Sequence, residues 1–190
     1  MALKIYLAGP EVFLPNAREM LDRKAAMARS AGFVPLSPDD VEIEKKGDLA
    51  EVALAIGAAD EAMMLEADAI IANLTPWRGV SADAGTVYEL GFMCALGKIV
   101  YAYTNVAASH FERVRAHYGE DGLADGPGMW RGPDGLRFED FGMMDNLMLQ
   151  GGVERRGGKV VIGNAAPDAL YTDTTAFAKC LSLLARPDER

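Results

Sequence analysis

Four side chains in the first half of the chain have the types that chemistry on a glycosidic bond requires: Tyr6, Asp60, Asp83 and Glu89. Such a reaction takes one carboxylate to attack or stabilise the anomeric carbon and an acid to protonate the leaving group. A hydroxyl beside the first carboxylate can hold and tune it. Glu89 is the most conspicuous of the four. It stands in "SADAGTVYELGFMCALGK", Ser81 to Lys98, where no other residue between Asp83 and Lys98 carries a charge. A carboxylate among apolar side chains is costly unless it has partners or a use. Each residue also has an ordinary explanation. "TVYE" reads as a capping box, with Thr86 as N-cap and Glu89 at the third position. Asp83 could favour the helix dipole from the preceding loop, Asp60 could lie on a solvated helix face, and Tyr6 could be core. Spacing alone leaves both readings open.

The elements that must position these residues alternate regularly. "LKIYLAG" reads as a buried strand, and "NAREMLDRKAAMARSAG" as a helix with Asn16 as N-cap, Glu19 three residues later and Gly32 at its stop. "FVPL" is a short strand, followed by the turn-rich "SPDD", a helix from about Leu49 to Glu66, and the strand "ADAIIANL". The loop "TPWRGVSADAG" leads into the Glu89 segment as a helix closed by Gly97, and "KIVYAY" is a further strand. Apolar rather than alternating strands in a βαβα succession predict an α/β fold with a parallel sheet and helices on both faces. Beyond Thr104 the pattern loosens. The expectation is a single domain over residues 1–190 with a long loop at about 104–140, of which Tyr118 to Gly135 is rich in Gly, Pro and Asp. "DALYTDTTAFAKCLSLLA" supplies a terminal helix with Phe177, Leu181 and Leu184 on one stripe.

In such sheets ligands bind beyond the carboxyl ends of the strands. That rule selects Gly9 to Phe13, Ser37 to Asp40, Thr75 to Gly85 and the start of the Glu89 helix. Carboxylates recur there, at Glu11, Asp39, Asp40, Asp83 and Glu89, a sign that suits an uncharged ligand and repels phosphates. No GxGxxG or Walker pattern is present. Trp77 and Arg78 could stack on or rim a flat ligand, or anchor the surface. Composition narrows the class further. The chain has 190 residues, 50% hydrophobic and 25% charged, which suits one soluble domain with a sizeable core. Its first thirteen residues are too short an apolar run for a membrane span and lack a signal-peptide layout, so a cytoplasmic location is expected. A net charge of −9 argues against a nucleic-acid polymer as partner. Cys94 and Cys180 read as packing residues. His110 and His117, with no third candidate ligand near them, do not suggest a metal site.

Beyond these local readings, "KIYLAGPEVF", "DAIIANL" and above all "SADAGTVYELGFMCALGK" closely resemble the nucleoside 2-deoxyribosyltransferase family, and "DNLMLQG" resembles its late Asn-Leu-Met segment. The resemblance runs from about residue 3 to residue 150, and Asp-x5-Glu-Leu-Gly is its most specific part. It implies a flavodoxin-like α/β fold that moves a 2-deoxyribosyl group between free nucleobases, starting from 2′-deoxynucleosides, with retention and without metal or organic cofactor. It implies that Glu89 is the nucleophile at C1′, that Asp60 protonates the departing base, that Tyr6 orients Glu89, and that Asp83 holds the sugar near its 5′-hydroxyl. It further implies a homo-oligomer in which Asn146 and Met148 complete a neighbouring subunit's site. Gly9, Phe13, Asp40 and Trp77 are the remaining expected substrate contacts, Asp40 or Asp39 standing roughly where some relatives use a glutamine on the base. Two other readings stand beside this one: a 2′-deoxynucleoside 5′-monophosphate N-glycosidase, and a non-catalytic nucleotide-binding module.

Overall fold

The alternation predicted from the sequence folds into a five-stranded parallel sheet in the computed structural model, which describes residues 2–38, 47–119 and 123–186. In chain order the first half holds β1 (Lys4–Ala8), α1 (Ala17–Ser30), β2 (Val34–Leu36), α2 (Leu49–Glu66), β3 (Ala69–Asn73), α3 (Ala84–Ala95) and β4 (Ile99–Thr104). The second half holds α4 (His110–Tyr118), β5 (Leu123–Ala124), β6 (Met129–Arg131), β7 (Arg137–Glu139), α5 (Leu147–Glu154), β8 (Val160–Ile162) and α6 (Thr175–Leu184). The sheet order is β2-β1-β3-β4-β8, every neighbouring pair parallel. This is the flavodoxin-like order, with its switch point between β1 and β3, where a crevice opens at the strand ends.

The strand pleat sorts side chains onto two cores. Tyr6, Ile70, Ala72 and Val100 face Met64 of α2, Leu90 and Met93 of α3 and Val153 of α5. Ile5, Leu7, Ile71 and Tyr101 face Ala28 of α1 and Phe177, Leu181 and Leu184 of α6. The terminal stripe thus packs as its spacing predicts. All five residues of β3 are buried. Each large apolar side chain sunk at this depth contributes roughly 1.5–3 kcal/mol, so the strand ends that carry a site rest on the firmest part of the molecule. Cys94 and Cys180 are both buried within this packing. Among the described residues no helix is long and apolar enough to cross a membrane.

Several expectations are corrected. The stretch read as a loop at about 104–140 instead contains α4 and a three-stranded antiparallel sheet, β5-β6-β7. Its strands are two or three residues long, too short to show a period against the glycines around them. Phe111 of α4 packs on Trp130 and Phe138 of this sheet, with ring centroids 5.2 and 5.7 Å away. The sequence pattern likewise does not predict the short β8 or helix α5. At α1, Asn16 is the N-cap residue but its side chain makes no capping bond to the backbone; its amide reaches Glu19 at 3.5 Å instead.

Candidate active site at the β1/β3 crevice

Tyr6 is the third residue of β1, and the pleat points its ring toward α3. There its hydroxyl donates to Glu89 Oε1 at 2.7 Å. The capping box expected for Glu89 does not form. α3 begins earlier, at Ala84, with Asp83 as N-cap; the Asp83 carboxylate accepts from the Thr86 amide at 3.0 Å and from the Thr86 hydroxyl at 3.3 Å. Asp is a better N-cap than Thr, and starting at Asp83 adds a turn of helix. Glu89 is thereby freed from the backbone and sits in the second turn, facing β1.

Glu89, Asp60, Asp83, Gly9 and Phe13 line a single cavity of about 260 Å³, closed by Val12, Pro38, Ile56 and the helix start at Gly85 and Thr86. Five of the expected contacts therefore converge, with Tyr6 directly behind Glu89. The electrostatics follow from the geometry. Burial raises the Glu89 pKa, the Tyr6 hydrogen bond opposes it, and the charges of Asp60, Asp83 and Glu11 add to the rise; the result is a carboxyl pushed up to about 7. Burial and the neighbouring Glu89 charge hold the Tyr6 phenol well above its ordinary range, so Tyr6 stays a donor at any working pH. Glu89, with its pKa pushed up to about 7 by burial, ionises near neutrality and stays poorly hydrated, a combination that suits a nucleophile.

The remaining expected residues lie elsewhere. Trp77 does not line the cavity; it stacks behind Phe13 at 5.7 Å between ring centroids and meets Tyr171 edge-on at 5.1 Å. Phe13, 57% exposed, is left as the open aromatic face. Asn146 caps α5, accepting from the Met148 amide at 3.0 Å and donating to Glu139 at 3.2 Å. Met148 lies in a separate groove of about 350 Å³ between α3 and α5. Neither lines the Glu89 cavity of its own chain. Asp39 and Asp40 lie outside the described residues.

Glu11, counted from sequence among the acids at the strand ends, is turned into the protein instead. Its Oε1 accepts from Lys24 Nζ at 2.9 Å, Asn73 Nδ2 at 2.9 Å and the Tyr103 hydroxyl at 3.0 Å. Burial pushes its pKa up, but the Lys24 charge and these hydrogen bonds outweigh that and hold it below the ordinary carboxylate value. The network anchors the turn Pro10–Phe13, one wall of the cavity. It also explains Gly9: a Cβ there would sit 2.0 Å from Glu11 Oε2 and 2.9 Å from Asn73 Cβ. Sequence reasoning missed Lys24, although a signal was present. Lys24 falls on the same helical stripe as Met20, Leu21, Ala25 and Ala28, all buried, where a cation requires an anionic partner.

Residues 5–148 match the family model described as nucleoside 2-deoxyribosyltransferase. An uncharacterized protein of Schizosaccharomyces pombe is 32% identical over 179 residues, covering 88% of this chain and 85% of that protein. The solved structure of a 2-deoxyribosyltransferase from Leishmania mexicana is 28% identical, with a TM-score of 0.62, over 95% of this chain and 97% of the other. A conserved protein from Enterococcus faecalis shares the fold, with a TM-score of 0.54 at 22% identity over 90% of this chain and 96% of its own. Matched in sequence over most of its length and in fold over nearly all of it, the chain belongs to the nucleoside 2-deoxyribosyltransferase family.

Proposed function

We propose that the protein exchanges nucleobases on 2′-deoxynucleosides through a covalent deoxyribosyl-Glu89 intermediate. The observation that carries this reading is the 2.7 Å hydrogen bond from Tyr6 to Glu89 Oε1, made in a cavity that Asp60 and Asp83 also line. With Oε1 held by Tyr6, Oε2 is the oxygen aimed at C1′. Its bond to C1′ forms as the C1′–N bond to the departing base breaks, and Asp60 gives that base its proton. The second base then attacks C1′ from the face the first one left as the Oε2–C1′ bond breaks and frees the Glu89 carboxylate, Asp60 takes up the proton that the incoming base sheds, and two inversions produce retention. A 2-deoxy sugar lacks the electron-withdrawing hydroxyl that disfavours an oxocarbenium-like transition state, so one apolar-seated carboxylate can carry the stabilisation. The half-buried seat of Glu89 limits water, which favours transfer over hydrolysis.

Asp83 accepts from the sugar's 5′-hydroxyl, and Phe13, backed by Trp77, offers its open face to the base. Three carboxylates on one cavity favour a neutral nucleoside over a nucleotide, and hence salvage of nucleosides over cleavage of their monophosphates. Asn146 and Met148, which do not line their own chain's cavity, fit the role of residues lent to a neighbour in a homo-oligomer. The deciding experiment incubates the protein with 2′-deoxyinosine and free adenine, then with 2′-deoxycytidine and free adenine, and follows products by chromatography. New deoxynucleoside in either mixture supports the reading, and Glu89→Ala should slow its formation by at least ~10³-fold. Free sugar without exchange would mean hydrolysis instead. No turnover of either donor would overturn the enzymatic reading.

A further inference from the structure

We infer that Arg113 and Asp145 are positioning residues for the sugar site: together they set the place of Asp83 by clamping Val80 and Ala82 in the backbone that leads to it. The inference rests on the reading of Asp83 as acceptor of the 5′-hydroxyl, and it gives a task to α4, in the part of the chain expected to be loop.

Residues 80, 81 and 82 are each held from outside their own loop. Arg113 Nε donates to the Val80 carbonyl at 2.8 Å. Ser81 Oγ lies 3.3 Å from His110 Nε2. The Ala82 amide donates to Asp145 Oδ2 at 2.9 Å. The next residue is Asp83, whose carboxylate both caps α3 and lines the cavity, so a shift of this backbone moves the acceptor itself. The clamp is fixed in turn. The Arg113 guanidinium also donates to the Ala108 carbonyl at 2.7 Å and the Met144 carbonyl at 2.6 Å, and lies 3.4 Å from Asp145 Oδ2. Its side chain is 10% exposed and that of Asp145 2%. A planar fork satisfying carbonyls in several directions fixes geometry in a way that the single ammonium of a lysine does not. Asp145 receives Ala82, Arg113 and the Asn146 amide on its two oxygens. An asparagine there has one oxygen, so its NH₂ must face at least one of those donors. Neither Arg113 nor Asp145 lines the Glu89 cavity, so both act on the reaction through residues they hold, and the double variant below separates the route through Asp83 from one through Asn146, whose amide also donates to Asp145.

A general scaffold role would weaken every substrate alike, whereas positioning of Asp83 matters only to a sugar with a hydroxyl for it to hold. The experiment therefore compares 2′-deoxyadenosine with 2′,5′-dideoxyadenosine as donors to a common free base, for wild type, Arg113→Lys, Asp145→Asn and Asp83→Asn. Arg113→Lys and Asp145→Asn should each lower kcat/KM for 2′-deoxyadenosine by about 10- to 100-fold while leaving 2′,5′-dideoxyadenosine within about twofold. Adding Arg113→Lys to Asp83→Asn should cost no more than Asp83→Asn alone. Should Arg113→Lys fail to fold, Asp145→Asn carries the same comparison. Equal losses on both donors, no loss on either, or independent effects in the double variant would overturn the inference. A wild-type enzyme that turns over both donors equally would instead refute the reading of Asp83, and the inference with it; the wild-type column alone tells these failures apart.

Discussion

Replacing Tyr6 by Phe removes a single donor from the site and leaves the ring volume in place, at a position with no solvent exposure. The lost interaction is the 2.7 Å hydrogen bond that opposes the upward shift of Glu89. A hydrogen bond to an ionised group is worth roughly 1.5–3 kcal/mol, and one pKa unit corresponds to about 1.36 kcal/mol, so the carboxyl should rise by ~1–2 units. From about 7 it would reach ~8–9. At pH 7 the ionised fraction then drops from about one half to between ~10% and ~1%, and kcat/KM falls ~5- to 50-fold. Initial rates of exchange between 2′-deoxyinosine and adenine, measured from about pH 5 to pH 10, should show the acid limb displaced to higher pH and the deficit shrinking on the alkaline side. An unmoved limb, or a loss equal at every pH, would refute the argument that Tyr6 tunes the ionisation of Glu89.

Two further outcomes are expected. Glu89 has a folded pKa raised above its unfolded value, so the stability it contributes is present below about pH 4.5 and is lost as pH rises through about 7. Glu89→Gln should flatten that decline and exceed wild type above neutrality by roughly 1–3 kcal/mol, which urea denaturation at acid and alkaline pH would reveal; a variant less stable than wild type at both would contradict it. Lys24→Met strands the Glu11 carboxylate, whose side chain is 2% exposed, and should cost ~3–5 kcal/mol. The double variant Glu11→Gln/Lys24→Met should recover much of that loss. Urea midpoints that simply add across this pair would show that the two charges do not interact.

How much of this was legible in the sequence varies with the distance over which the information acts. α2 runs from Leu49 to Glu66, the limits its pattern predicts, because period, caps and flanking turns are properties of neighbouring residues. The parallel sheet was likewise readable from apolar runs such as the one that became β3. The small antiparallel sheet was not, since its short strands are defined by their pairing across turns. The competition at the start of α3 shows the limit clearly. Thr86 with Glu89, and Asp83 with Thr86, are both plausible caps on spacing, and the structure forms the second.

By itself, then, the sequence determined the order of elements, the two-faced parallel sheet and the identity of the acids that could serve a sugar. Tertiary structure decided what those acids became. Tyr6 and Glu89 are 83 residues apart and meet only because β1 lies beside α3. Glu89 rises to about 7 because burial and neighbouring carboxylates act on it together. Glu11, of the same residue type, is driven the opposite way by one buried lysine. Charge and burial act through space, so a residue's chemistry is set by neighbours that local sequence does not name.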